Sequence, residues 1–93
     1  MTKFDWNAFK GSANIAVYCK TEEEAKQFCK LMHEHGMTWR NEETYLNNTS
    51  WGTFKERTYY NGNGAYGEID WINNHVGYTL LSFDLLDFEE LPF

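Results

Sequence analysis

The stretch from Thr21 to Gly36 constrains the fold more than any other part of this chain. Thr21-Glu22-Glu23-Glu24 has the form of a capping box. In that arrangement the Thr21 hydroxyl accepts from the amide three residues on, while the Glu24 carboxylate reaches back to the Thr21 amide. The three glutamates also face the positive end of the helix dipole. Behind them Ala25, Phe28, Cys29 and Met32 recur at i, i+3, i+4 and i+7, which draws a single apolar stripe of helical period. Gly36 ends the pattern, with His33 and His35 in the last turn. The spacing predicts a helix over residues 22–35, and its stripe needs a flat apolar surface to cover it.

Strand patterns on both sides supply that surface. Asn14-Ile15-Ala16-Val17-Tyr18-Cys19 is β-branched and aromatic, and reads as a mostly buried strand. Before it, Phe4, Trp6 and Phe9 form either a short helical turn or an irregular lid that drops rings onto the core. Met37-Thr38-Trp39-Arg40 reads as a second strand, Asn41-Glu42-Glu43 as a turn, and residues 47–56 as a loop with Trp51 and Phe54 tucked beneath. Thr58-Tyr59-Tyr60 is a short strand. Asn61-Gly62-Asn63-Gly64 is a hairpin turn, because Asn and Gly accept positive φ at little cost. Ala65 to Ile72 forms the second arm, with Ile69 and Trp71 on one face and Tyr66, Glu68 and Asp70 on the other. After a turn at Asn73-Asn74-His75, the last strand runs from Gly77 to Phe83. The expected fold is α+β, with one helix packed on a mainly antiparallel sheet of about four to five strands in two layers. Residues 1–93 form a single domain, since no repeat, low-complexity tract or linker interrupts them and the only proline is Pro92.

So short a chain needs large side chains to build a core, and it has seven Phe, six Tyr and four Trp. Each such ring buries roughly 150–250 Å². Cys19 and Cys29 are too few for a disulfide framework and are expected as free thiols, Cys29 on the apolar helix face and Cys19 ending a strand. No cationic segment leads into an apolar run at the N-terminus, so no signal peptide is expected. No apolar run approaches the roughly 20 residues of a membrane helix. The expected setting is the cytoplasm.

The formal net charge is −6, and it is unevenly spread along the chain. Residues 1–57 hold all eight basic residues and eight acidic ones. Residues 58–93 hold no Lys or Arg, but carry Glu68, Asp70, Asp84, Asp87, Glu89 and Glu90. Such a field repels nucleic acid and anionic membrane and attracts basic surfaces, while also serving solubility.

Several chemistries lack their residues. His33 and His35 are two apart on a helix and point some 200° away from each other, and no Cys-x-x-Cys or His-x-x-x-His spacing exists, so neither a metal nor another cofactor is expected. Cys29 and His33 are an i, i+4 pair, but burial of Cys29 on the apolar face makes it inert. Glu68 and Asp70 read as the wet face of a half-exposed strand, with a carboxylate pair for acid–base work as the alternative. The glycine-rich Asn61–Gly64 segment has no lysine and no helix after it, unlike a phosphate loop. Basic residues are missing around Tyr59, Tyr60, Tyr66 and Trp71, so direct nucleic-acid binding is not expected. Binding fares better. Tyr66, Glu68 and Asp70 lie near a tail with Asp84, Asp87, Phe88, Glu89 and Glu90, combining spaced carboxylates with aromatic anchors. The tail through Leu91, Pro92 and Phe93 either docks in a partner or folds back over its own core.

The run from Ile15-Ala16-Val17-Tyr18-Cys19 through Thr21-Glu22-Glu23-Glu24-Ala25 and Phe28-Cys29 to Met32-His33-Glu34-His35-Gly36-Met37-Thr38-Trp39, with Gly77-Tyr78-Thr79-Leu80-Leu81, resembles small proteins of phages and prophages of Gram-positive bacteria. The resemblance covers about three quarters of the chain and carries over no functional residue. It implies a bacterial host as the setting and a role in binding and disabling host enzymes, immune nucleases among them.

Two readings follow. The first is an inhibitor, not an enzyme, that occupies the basic surface of a host nucleic-acid-handling or defence protein such as a CRISPR nuclease. Its steering charges are Glu68, Asp70, Asp84, Asp87, Glu89 and Glu90, and its anchors are Tyr66 and Phe88. The alternative is a small-ligand binder that sequesters a nucleotide signal, stacking a base on Trp39, Tyr59 or Trp71 and holding phosphate with Arg40 or Arg57. A small structural or regulatory subunit is a third possibility. The oligomeric state is not legible in the sequence.

Overall fold

A computed structural model describes residues 2–87. Their elements run β1 (Thr2–Lys3), α1 (Trp6–Phe9), β2 (Ile15–Tyr18), α2 (Glu22–Glu34), α3 (Trp51–Phe54), β3 (Thr58–Asn61), β4 (Tyr66–Glu68), α4 (Ile69–Asn73), β5 (Thr79–Ser82) and β6 (Leu86–Asp87), with single 3₁₀ turns at Lys55–Arg57 and Phe83–Leu85. The fold is α+β, and a four-stranded sheet in the order β4-β3-β2-β5 forms its centre.

The helix forms where its signals lie. The Thr21 hydroxyl accepts from the Glu24 amide at 3.1 Å. The Glu24 carboxylate reaches one residue further back than a capping box places it, accepting from the Lys20 amide at 2.9 Å. At the other end the Met37 amide donates to the Met32 carbonyl and the Gly36 amide to the His33 carbonyl, the two bonds of a Schellman motif, with Gly36 at φ +80°. Ala25, Phe28, Cys29 and Met32 are all buried. They meet Val17, Tyr60 and the rings of Phe4, Trp6 and Phe9 in the main core. Phe28 sits at its centre, with ring centroids 5.7 Å from Phe9, 6.0 Å from Trp6 and 6.1 Å from Tyr60. The segment before β2 is therefore a helical turn carrying rings onto the core.

In the sheet, β3 is antiparallel to both β2 and β4, while β5 is parallel to β2, so two of the three pairings are antiparallel. In β3 every residue is buried. The parallel join follows from a departure at the second hairpin arm. The extended segment after the Asn61–Gly64 turn stops at Glu68, whose carboxylate accepts from the Asp70 amide at 2.7 Å and starts α4. Ile69 and Ile72, one helical turn apart, then pack with Ala16, Tyr59 and Leu80 on the sheet face opposite α2. Carried across that face, the chain reaches the far edge as β5. Asp70 and Trp71 accordingly lie on a helix rather than on alternate faces of a strand.

Met37 to Arg40 is not a strand. Met37 and Trp39 do sink into the core, as alternation requires. Their backbone is occupied otherwise: the Trp39 amide donates to the Glu43 carbonyl and the Arg40 amide to the Gly64 carbonyl. The Trp39 indole donates to the Asn48 carbonyl at 3.0 Å, and the Tyr60 hydroxyl to the Thr49 carbonyl at 2.7 Å, which pins the following loop to the core. Residues 47–56 contain the single turn α3, where a loop was expected. Among the described residues no helix is long and apolar enough to cross a membrane.

Candidate functional site

Tyr66, the first residue of β4, forms a wall shared by two clefts and is 39% exposed. The Asn61–Gly64 turn sets its position: the Asn61 amide donates to the Ala65 carbonyl at 2.9 Å, and Tyr60 and Tyr66 pair across the strands. Its ring meets Trp39 edge-on at 5.6 Å and Phe54 at 6.1 Å.

On one side lies a cleft of about 360 Å³ whose mixed lining includes Trp39, Arg40, Glu43, Asn48 and Ser50. On the other, a cleft of about 520 Å³ is lined by Phe54, Tyr59, Tyr66, Gly67, Glu68 and Trp71. Four of these six residues are aromatic, none is basic, and Trp71 is 46% exposed. Trp71 is held from behind by His75, stacked at 3.9 Å, and by Tyr78, edge-on at 5.2 Å. The three non-glycine residues with left-handed backbone among the described residues, Glu42, Ser50 and Lys55, fall in the segment that frames these clefts. Such backbone costs on the order of 1–3 kcal/mol per residue and concentrates at functional positions.

Glu68 and Asp70 both bind Arg57. The Arg57 Nε donates to Glu68 Oε2 at 2.6 Å, and its terminal nitrogen pairs with Asp70 Oδ1. The hydrogen bond from Arg57 holds the Glu68 carboxyl below its usual range, and the same bond raises the guanidinium. Asp84 is also partnered, with Lys20 at 3.1 Å and with the Ser82 hydroxyl. The Ser82 hydrogen bond and then Lys20 lower the Asp84 carboxyl. Among the described residues the charge split visible along the chain is not kept in space, because folding lays Arg57 and Lys20 against Glu68, Asp70 and Asp84. No protein-family model matches the chain, and neither a curated protein nor a solved structure matches it.

Of the residues expected at a binding surface, Tyr66, Glu68 and Asp70 come together here, and Asp84 lies apart beside Lys20. Asp87 contributes its backbone to the β1–β6 pair, in register with Lys3. Phe88, Glu89 and Glu90 lie outside the described residues. Phe54, Gly67 and Trp71 also line the cleft, and Trp71 lies on α4 rather than opposite Tyr66 on a strand. One signal was available for Trp71: Ile69 and Ile72 have helical spacing, and Glu68 stands where a cap would.

Reactive alternatives lack geometry. Cys19 and Cys29 are both buried free thiols; burial raises both, Cys29 to about 12. His33 shares a hydrogen bond with Thr44 rather than Cys29. Among the described residues no group of three or more His, Cys, Asp or Glu is placed to hold a metal ion. Trp39 is buried against Tyr45 at 4.5 Å, and Tyr59 is buried also, so neither offers a free ring face to a nucleotide base.

Proposed function

We propose that this protein acts by binding another protein, using the surface around Tyr66, Glu68, Asp70 and Trp71 to cover a basic surface with which the partner handles nucleic acid. The observation that carries the reading is the pairing of two half-exposed rings, Tyr66 and Trp71, around a cleft with no basic lining residue and a fixed carboxylate at its edge. Large aromatics beside a polar rim are the usual anchors of protein interfaces. The overall charge of −6 supports attraction to a basic partner. The resemblance to phage proteins supplies the proposed setting, a host nuclease or another defence protein. The nucleotide-sequestering reading has less support, since Arg57 is engaged by two carboxylates and Trp39 is buried.

The test is retention from a bacterial lysate, followed by competition. The protein is immobilised, a retained protein is identified, and nucleic acid is added to displace it. A stoichiometric partner that nucleic acid displaces, and that Tyr66→Ala or Asp70→Lys no longer retains, supports the reading. A partner indifferent to both nucleic acid and these substitutions removes it.

A further inference from the structure

The cleft between Tyr66 and Trp71 has the composition of a cation cage. Phe54, Tyr66 and Trp71 supply π surfaces, the buried Tyr59 closes the cleft from below, Glu68 supplies the one charge among the lining residues, and Gly67 supplies a stretch without a side chain. The faces of aromatic rings are electronegative, and they attract ammonium and guanidinium groups within about 6 Å of the ring centre. We propose that this cleft receives an arginine side chain presented by the protein partner, its guanidinium lying against the rings and its N–H groups directed at Glu68. The inference deepens the binding reading above and rests on it.

Three features favour an arginine. Gly67 sets the floor of the cleft: a Cβ there would lie 2.6 Å from the Tyr59 hydroxyl oxygen and 2.8 Å from a ring carbon, so only glycine lets the ring lie across the strand. Glu68 is pinned, with Oε2 bound to Arg57 and Oε1 to the Asp70 amide, yet each carboxylate oxygen has a second lone pair for another donor. Glu68 and Asp70 together carry two negative charges against the single positive charge of Arg57, which leaves one negative charge at the cleft edge. A planar guanidinium suits such a site better than an ammonium, because it stacks on rings and offers donors in a fork.

The test uses the whole protein and a capped tripeptide, acetyl-Gly-Arg-Gly-amide, followed by amide and indole NMR shifts. Controls are the same peptide with citrulline, a neutral isostere of arginine, and tetramethylammonium chloride. Saturable shifts at the Trp71 indole and the Gly67 amide are expected with the arginine peptide, with binding roughly tenfold or more weaker for citrulline. Trp71→Ala, at an exposed position, is expected to stay folded by circular dichroism and to lose the shifts. Equal shifts with arginine and citrulline peptides overturn the proposal, as does a stronger response to tetramethylammonium than to arginine. Arginine binding with no displaceable partner in the lysate would leave the cage standing and remove only the wider functional reading.

Discussion

The ring of Tyr59 lies across Gly67, so close that a Cβ on Gly67 would come within 2.6 Å of the Tyr59 hydroxyl oxygen. The two residues are paired across β3 and β4, so neither can move without disturbing the ladder. Gly67→Ala therefore forces the Tyr59 ring outward into the cleft. Overpacking of this kind costs typically about 1–3 kcal/mol. The expected outcome is a lower urea midpoint with an unchanged slope, together with loss of binding at the cleft. A variant as stable as the parent, with its binding intact, would show that the ring moves freely and does not shape the site.

The Arg57–Glu68 contact makes a pH prediction. Glu68 has its carboxyl lowered from 4.5, chiefly by the Arg57 hydrogen bond. A carboxyl lowered in the folded state adds stability above its unfolded value and loses it as pH falls through the folded value. The contribution is therefore complete above about pH 4.5 and fades below it. Because both side chains are partly exposed, screening keeps it small. In Arg57→Gln the Glu68 carboxyl is expected to titrate nearer 4.5 by NMR, with a shallower acid loss of stability. An unmoved Glu68 titration would assign the shift to another cause.

Both thiols are expected to be silent in the folded protein. Cys19 and Cys29 are buried, and burial disfavours their thiolates, the reactive form. An aromatic disulfide reagent at pH 8 should modify neither in buffer and both in urea, at a rate set by unfolding. Rapid labelling of one thiol in buffer would reveal local opening between β2 and α2.

How far the sequence told of this fold depended on whether a residue's signal was local. Thr21, Glu24 and Gly36 mark a helix through bonds to residues within five positions, and the helix lies there. The Asn61–Gly64 turn was legible for the same reason. The Met37–Arg40 segment reads as strand because the alternation of Met37 and Trp39 reports burial, whereas the backbone partners of Trp39 and Arg40, Glu43 and Gly64, are fixed by the tertiary fold. The second hairpin arm failed where two periods overlap: Glu68, Ile69 and Asp70 fit alternation until the Glu68 cap and Ile72 are weighed. The site was half legible. Tyr66, Glu68 and Asp70 are neighbours in sequence, while Phe54, Tyr59 and Arg57 join them only through strand pairing.

Phe28 reports on how much of the stability rests on the aromatic core. Its ring touches those of Phe9 and Trp6 from α1, Tyr60 from β3 and Phe83 from the turn after β5. Phe28→Ala is expected to cost about 3–5 kcal/mol, a large part of the whole stability of a domain this size. Thr21→Ala, which removes only the cap, should cost about 1 kcal/mol. Urea unfolding distinguishes them; equal losses would mean that the cavity at Phe28 collapses.

The last prediction separates steering from anchoring at the proposed interface. Arg57 cancels part of the field of Glu68 and Asp70, so Arg57→Gln should make the cleft edge more negative without removing a ring. Association with a basic partner then speeds up and becomes more salt-dependent, while Asp70→Lys slows it. Trp71→Ala should instead act on dissociation, because the loss of a packed ring shortens the life of the complex without altering the long-range field. Stopped-flow association at two salt concentrations reads the two effects separately. If Arg57→Gln and Asp70→Lys associate at the same rate, Glu68 and Asp70 do not steer the partner, and the carboxylates serve only to hold Arg57.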